Sequence, residues 1–416
     1  MNVHLRTFGC RANQYDSETV RAMLAAAGAS VVDEAADADV AVFNSCAVTA
    51  EAEADLRKAV RRAARERPAL RTVIMGCASA LPRAATDPAR LDALPGVEAL
   101  VPGADMLALA RALDLPPDAA AAVAAVQRGA RALLRVQDGC DEHCTFCATT
   151  IARGANRSRP MATLLDEAER LAERHAELVL TGVHIGTYGR DAGTSLGALL
   201  EALVHRVPHA RFRLSSVEAT EVDARLAALL RDAAGHVCPY LHAPLQSGSD
   251  RLLRRMGRHW YTADAYAASV ERLVDGRAVF GLGADVIAGF PGETEDDHAA
   301  TLALVERLPF AALHVFPYSP RPGTAATRLP DPVAPAVAQR RAGELRALAR
   351  AKGDAYAASR VGGAADVVVI GEGARRSGMT EDYLTVTLAD ASRPRGARAP
   401  ARLALLDGRL TAVAVA

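Results

Sequence analysis

Three cysteines stand at a spacing that points to metal chemistry: Cys140-Asp-Glu-His-Cys144-Thr-Phe-Cys147. Three thiolates so placed can hold three irons of a four-iron (4Fe-4S) cluster and leave the fourth iron open to an external ligand. A small molecule with an amine and a carboxylate, such as the methionine end of S-adenosylmethionine, can chelate that iron. A low-potential cluster can then pass one electron into the adjacent sulfonium, break a carbon–sulfur bond and release a 5'-deoxyadenosyl radical. The alternative for the same cysteines is a structural zinc, but zinc usually takes four protein ligands and has no familiar three-then-two spacing.

Three further cysteines, Cys10, Cys46 and Cys77, each end a predicted strand: Thr7-Phe-Gly-Cys10, Asn44-Ser-Cys46 and Met75-Gly-Cys77. In a parallel sheet such ends lie along one edge, so cysteines far apart in sequence meet at one point. A second 4Fe-4S cluster with a spare site is the consequence. The alternative is three small buried hydrophobes. Cys238, alone before Pro239, reads as a buried thiol.

The elements that must position these groups follow an α/β pattern. Short β-rich runs (Val3 to Phe8, Val40 to Asn44, Thr72 to Gly76) alternate with helical stretches (Ser17 to Ala27, Ala50 to Arg67), which predicts an N-terminal domain with a parallel sheet over 1–114. A Pro- and Ala-rich linker, Leu115 to Arg128, follows. Six predicted strands then alternate with helices: Leu133 to Gln137, Leu178 to Thr181, Arg211 to Ser215, Tyr240 to Ala243, Gly283 to Ile287 and Ala312 to Phe316. They suggest a central partial (β/α)6 barrel over 129–359, with functional residues at the C-terminal strand ends. It closes with a helix at about Val337 to Ser359. The tail, 360–416, has short β-type runs (Ala365 to Ile370, Tyr383 to Leu388, Ala401 to Leu406, Leu410 to Val415) and reads as a small antiparallel β-barrel.

Among the 416 residues, Lys+Arg 49 balance Asp+Glu 49, the profile of a soluble globular protein rather than a strongly basic one. RNA binding, if present, must come from a local surface, and arginine must supply it, because Lys58 and Lys352 are the only lysines. Met1 to Cys10 shows no secretory pattern, and the alanine-rich Asp118 to Val126 is too short to span a bilayer. A cytoplasmic protein with no membrane partner is expected, and its seven cysteines are read as thiolates for metal or catalysis rather than as disulfides.

With both triads in place the chain resembles the radical S-adenosylmethionine methylthiotransferase family over nearly its whole length. The matching stretches are Gly9-Cys10-Arg-Ala-Asn13-Gln-Tyr-Asp16-Ser-Glu18, Asn44-Ser-Cys46-Ala-Val-Thr49, Val136-Gln-Asp-Gly-Cys140, Leu180-Thr-Gly182-Val-His-Ile-Gly186, Phe212-Arg-Leu-Ser-Ser216, His242-Ala-Pro-Leu-Gln246-Ser-Gly248, Asp285-Val-Ile-Ala-Gly289-Phe-Pro-Gly292-Glu293-Thr294 and Tyr318-Ser-Pro-Arg321-Pro-Gly323-Thr324. The tail, with Gly378-Met-Thr-Glu-Asp-Tyr383, is similar to the TRAM-like barrel that the family appends to bind substrate. The chain departs from the family at Ala148-Thr149-Thr150, where two isoleucines and a proline are common, and its tail is poor in aromatic residues.

The resemblance implies two 4Fe-4S clusters and a two-part reaction. One S-adenosylmethionine methylates a sulfur at the auxiliary cluster of Cys10, Cys46 and Cys77; a second, at Cys140, Cys144 and Cys147, supplies the radical that activates an inert carbon–hydrogen bond. Phe146, Gly182, Ser215, Glu218 and Gln246, at or beyond strand ends, are the candidates for the S-adenosylmethionine pocket, each alternatively a turn or a barrel-mouth packing residue. The run Cys10-Arg-Ala-Asn13 and Cys46-Ala-Val-Thr49 look most like the branch that acts on N6-threonylcarbamoyladenosine at position 37 of the tRNA anticodon loop. Other branches act on isopentenyladenosine, whose enzymes have an arginine where Thr49 stands, or on a ribosomal-protein aspartate, whose enzymes tend to be acidic where Arg321 stands. The implied partners are tRNA and a reducing electron donor of unknown identity. Arg153, Arg157 and Arg159 after the triad, and Arg393, Arg395, Arg398 and Arg402 in the tail, are the candidates for phosphate contact, against solvated loops as the alternative. A competing class is an iron–sulfur redox sensor or electron carrier, which explains six cysteines but not the barrel.

Overall fold

The structure, a computed structural model, describes all residues except 83–86, 88–89, 234, 374–375, 391 and 415–416. The end of the last predicted strand, at Val415, therefore lies outside the described residues. The chain forms two compact units, one of residues 1–127, 138–157 and 319–328 and the other of residues 128–137, 158–318 and 329–416.

The first unit is built on a five-stranded, all-parallel sheet in the order β2-β1-β3-β4-β5, with β1 (Asn2–Thr7), β2 (Ser30–Val32), β3 (Val40–Ser45), β4 (Arg71–Gly76) and β5 (Val97–Pro102). The central strand β3 is buried throughout, as a parallel strand covered on both faces must be. Its alternation divides two cores: Val40 and Val42 pack with Met23 and Leu24 of α1 (Arg11–Ala26), while Ala41 and Phe43 pack with Leu56 and Val60 of α2 (Ala50–Glu66). Thr49 caps α2 by accepting from the Ala52 N–H. Strands β2 and β5 were not expected from the sequence. The first is three residues long, and the second carries Glu98 and ends on Pro102, so neither offers an apolar run. A short helix α3 (Met106–Ala112) follows, and the linker holds a single 3-10 turn at Pro117–Ala121.

The second unit contains the six expected barrel strands. β6 (Ala132–Arg135), β9 (Glu177–Thr181) and β10 (Arg211–Leu214) form one parallel sheet in the order β10-β9-β6, and β11 (Tyr240–His242), β12 (Gly281–Ala288) and β13 (Ala312–Pro317) another. Bridges Phe212↔Val237 and Ser216↔His242 join them into one open half barrel, with β6 and β13 as its unpaired edges. Two short strands, β7 (Gln137–Asp138) and β8 (Arg157–Ser158), pair and flank in sequence the loop of Cys140, Cys144 and Cys147 and the helix α4 (Thr149–Arg153). The helices α5 (Met161–Ala172), α6 (Leu196–Arg206), α7 (Ala224–Asp232), α9 (Ala263–Val274) and α10 (Glu295–Arg307) bury leucines and alanines against the outer barrel face. A shorter α8 (Asp250–Arg255) lies between β11 and β12, and the long α11 (Pro335–Ser359) starts on a proline, which needs no N–H there.

The tail closes as a five-stranded barrel in the order β14-β15-β16-β18-β17, with β14 (Ala364–Val369), β15 (Ser377–Met379), β16 (Thr385–Leu388), β17 (Arg398–Leu406) and β18 (Arg409–Ala414). The expected antiparallel barrel closes through one parallel pairing, β16 with β18. It meets the half barrel through buried charge. Glu177 of β9 pairs with Arg211 and Arg213 of β10, and those arginines donate to the carbonyls of Asp366, Thr380 and Glu381. Tyr383 stacks on Tyr240 with ring centroids 4.5 Å apart.

Candidate active site

Cys10, Cys46 and Cys77 stand immediately before α1, after β3 and after β4, at the C-terminal edge of the first sheet. Gly9 has φ +109, and a Cβ there would stand 2.7 Å from the Cys46 sulfur, so glycine is what lets the Cys10 loop lie on Cys46. Gly76, φ +100, likewise passes so close to Asn44 and Ser45 that no side chain fits before Cys77. A buried polar network fixes this edge. Asn13 Nδ2 donates to Asn44 Oδ1 at 2.9 Å and to the Ser45 carbonyl at 2.8 Å, Asn44 Nδ2 donates to Ser17 Oγ at 3.0 Å, and the Cys77 N–H donates to the Ser45 carbonyl at 3.0 Å. Burial pushes the Cys77 thiol up to about 12, against the pull of Arg153, and raises that of Cys46, where the Val48 N–H opposes it.

The loop of Cys140, Cys144 and Cys147 is equally constrained. Gly139 has φ +72, and a Cβ there would fall 1.9 Å from the Ala155 carbonyl oxygen. The Cys140 N–H donates to the Gly154 carbonyl, the Cys147 N–H to that of Cys144, and the Ala326 N–H to that of Thr145. N–H groups also point at sulfur: Glu142 N lies 3.4 Å from Cys140 Sγ and Thr149 N 3.3 Å from Cys147 Sγ.

Both triads belong to the first unit, and the structure ties them together. Ala47 and Ala148, each directly after a cysteine, share one apolar cluster with Cys77. Arg153, the last residue of α4, is buried, and its Nε donates to Cys77 Sγ at 3.2 Å while its two other nitrogens pair with Asp16 at 2.6 Å and Asp138 at 3.2 Å. Arg153 is therefore removed from the arginines expected to face phosphate: its charge is spent on two carboxylates and a thiol. Sequence spacing could not reveal this, because Asp16 and Cys77 lie far away in the chain.

The donor chemistry fits iron–sulfur clusters. One zinc on three thiolates at about 2.3 Å would draw the sulfurs to within about 4 Å of one another. Among the described residues neither cysteine triad closes to within 4.8 Å, a distance that only His242, Asp285 and His314 reach.

Of the five residues expected to bind S-adenosylmethionine, Phe146 lies in the first unit and the other four in the second. Gly182, Ser215 and Gln246 follow β9, β10 and β11, and Glu218 follows Ser215 by three residues. A Cβ on Gly182 would meet the Gln137 carbonyl at 2.6 Å, so this glycine is required by its own barrel. Gln246 adopts φ +63, a strained conformation held by its bridge to Val286. Glu218 is buried; burial raises its carboxyl while its partner Arg258 lowers it, and its Oε2 has no hydrogen-bond partner among the described residues. Such an oxygen at a strand end is a ready acceptor for a ribose hydroxyl.

The remaining expected RNA contacts differ in what holds them. Arg157 is 60% exposed, and Arg159 pairs with Glu167. In the tail Arg393 pairs with Asp390, Arg398 with Asp366, and Arg395 and Arg402 donate to the carbonyls of Arg128 and Gly362.

A sequence profile described as the radical SAM superfamily matches residues 134–305, and one described as an uncharacterized protein family, UPF0004, matches residues 2–93. Among curated proteins the chain is 34% identical over 337 residues to the threonylcarbamoyladenosine tRNA methylthiotransferase MtaB of Thermotoga maritima, covering 79% of this chain and 77% of the relative. The protein of the same name from Bacillus subtilis is 34% identical over 375 residues (85% and 82% covered), and that from Aquifex aeolicus 32% over 404 residues (93% and 96%). Among solved structures the radical S-adenosylmethionine methyltransferase TsrM of Kitasatospora setae superposes with a TM-score of 0.56 at 17% identity, over 76% of this chain and 72% of that one. The cobalamin-dependent radical enzyme OxsB does so at 0.50 and 12%, over 76% and 53%. These two likenesses concern the fold alone. Each of these relatives is more than 30% identical and covered over more than two thirds of its length, and with them the chain belongs to the MtaB family of radical S-adenosylmethionine tRNA methylthiotransferases.

Proposed function

We propose that the protein converts N6-threonylcarbamoyladenosine in the anticodon loop of tRNA to its 2-methylthio derivative, as a cytoplasmic enzyme fed by a separate electron donor. Cys140, Cys144 and Cys147 would hold one 4Fe-4S cluster, and Cys10, Cys46 and Cys77 a second. The observation that carries this reading is that two thiol triads, one on three strand ends and the other on a single loop, are tied to one another by Arg153 and by the apolar cluster that Ala47, Cys77 and Ala148 share. When bound, such clusters supply one-electron cleavage of S-adenosylmethionine and a site for the sulfur to be transferred.

The chain's own residues do the rest. Backbone N–H groups of Val48, Glu142 and Thr149 aim at the thiols of Cys46, Cys140 and Cys147 and stabilise their anionic form. Arg153 adds a fixed positive charge at Cys77. Glu218, Ser215 and Gln246 offer hydrogen-bonding groups for the ribose and amino-acid ends of S-adenosylmethionine. No helix among the described residues is long and apolar enough to cross a membrane.

Anaerobic reconstitution of wild type, Cys46→Ala and Cys144→Ala, with iron and sulfide quantified and electron paramagnetic resonance recorded, tests the assignment. Wild type should bind about twice the iron of either variant. Cys46→Ala should still release 5'-deoxyadenosine but form no methylthio nucleoside, whereas Cys144→Ala should do neither. A Cys46→Ala protein with full iron content would refute the second cluster.

A further inference from the structure

A polar group that the two-cluster reading does not use lies on the inner face of the half barrel. Along β12, Leu282, Ala284, Val286 and Ala288 are buried against the outer helices, so Asp285 between them faces the opposite way, into the barrel. On β13, Val315 joins the same core, while His314 and Phe316 point with Asp285 and remain open, Phe316 at 37% and the His314 side chain at 60% exposure. The strand register sets Asp285 directly beside His314. His242, last residue of β11, completes the group: its Nε2 lies 3.1 Å and His314 Nδ1 3.2 Å from the same oxygen, Asp285 Oδ1. The two rings are 5.2 Å apart, and Tyr240 Oη stands 3.4 Å from His242 Nδ1. Room for the His242 ring comes from Gly283, where a Cβ would sit 2.8 Å from its Nδ1. Among the described residues β13 pairs as a strand with β12 alone, so His314 and Phe316 lie on the edge strand of the sheet.

We propose that His242, Asp285 and His314 form the subsite that hydrogen-bonds the polar N6 substituent of the substrate adenosine, with Phe316 beside them as a face for the base. The inference rests on the substrate reading above and gives that reading a structural origin. A threonylcarbamoyl group carries a carboxylate, a hydroxyl and urea N–H groups. His314, its Nδ1 turned to Asp285, donates from Nε2 to one of the substituent's oxygens, the other Asp285 oxygen accepts from an N–H or O–H, and His242 holds the Asp285 carboxylate in place. An isopentenyl group has no polar atom, and placing it here would cover the His314 ring and the Asp285 carboxylate without replacing the water they lose, a mismatch that disfavours the apolar analogue. Phe316, edge-on to His314 at 6.3 Å, adds a surface on which an unstacked base can lie.

The test uses the full-length reconstituted enzyme and fluorescent anticodon stem-loops carrying threonylcarbamoyladenosine or plain adenosine, with affinities measured by anisotropy. Wild type should prefer the modified stem-loop by at least about tenfold, the effect of one or two charge-assisted hydrogen bonds. His314→Leu should lose most of that preference with unchanged iron content and circular dichroism, and His314→Asn should recover part of it. A His314→Leu enzyme with the full preference would overturn the subsite while leaving the substrate reading intact. A wild-type enzyme with no preference would overturn both. A metal ion bound in one equivalent beyond the cluster iron, and lost in His314→Leu, would assign the three side chains to a cation and overturn the proposal.

Discussion

Arg153 is the residue on which the most depends. Its side chain and that of Asp16 are both buried, and removing the guanidinium would break that ion pair inside the protein. Arg153→Leu should therefore destabilise the cluster-free protein by about 3–5 kcal/mol in urea unfolding, and an unchanged midpoint would contradict the role assigned to it. The thiols make a second prediction at this scale. Burial pushes both Cys77 and Cys238 up to about 12 from an ordinary 9.0. A raised folded value means that the stability gained by burying the neutral thiol is complete below about pH 9 and is lost as the pH climbs towards 12. The urea midpoint of cluster-free protein should accordingly fall between pH 9 and pH 11, and Cys238→Ala should shrink the fall. The identity of the chemistry was legible in residue types and spacing, because three cysteines within eight residues permit few alternatives. The role of Arg153 was not, because its partner Asp16 is 137 residues away and nothing local distinguishes a buried arginine from a solvated one.

At the scale of elements, the cysteines are placed by strand ends and by glycines that leave no room for a side chain. Gly139→Ala should abolish cluster binding at Cys140, Cys144 and Cys147, seen as loss of about half the iron, since its φ is positive and the new Cβ would collide with the Ala155 carbonyl. Normal iron content in that variant would contradict the loop geometry. Helix α10 begins with a capping box in which Thr294 and Asp297 satisfy each other's backbone donors. Thr294→Ala should cost about 1 kcal/mol, read as a lower melting temperature. The strands leading to the cysteines were legible because β3 and β4 hold apolar runs ended by a small residue and β1 alternates apolar with polar residues up to Gly9. β2 and β5 were not, since edge strands need no continuous apolar run. Helix α1 starts at Arg11, well before its apolar periodicity begins at Val20, because the turn after Cys10 is stabilised by the buried Asn13–Asn44 contacts rather than by propensity.

At the scale of the whole molecule, the tail is bound to the half barrel through Glu177 and its two arginines. Glu177→Gln leaves the buried Arg213 without its carboxylate partner and Arg211 with Asp366 alone. It should destabilise the protein by about 3–5 kcal/mol, and an unchanged thermal melt would contradict that account of the junction. The alternation of strand and helix made the half barrel and the tail barrel legible; the charged junction was not, since Glu177, Arg211 and Arg213 look in sequence like the polar positions of half-exposed strands. The central claim is that this molecule methylthiolates threonylcarbamoyladenosine using a second, auxiliary cluster. It is tested most directly by nucleoside mass spectrometry of tRNA from cells lacking the gene, complemented with wild type or with Cys46→Ala. The account predicts that the 2-methylthio form of threonylcarbamoyladenosine disappears in the deletion and returns with wild type alone; its persistence in the deletion, or its return with Cys46→Ala, would contradict it.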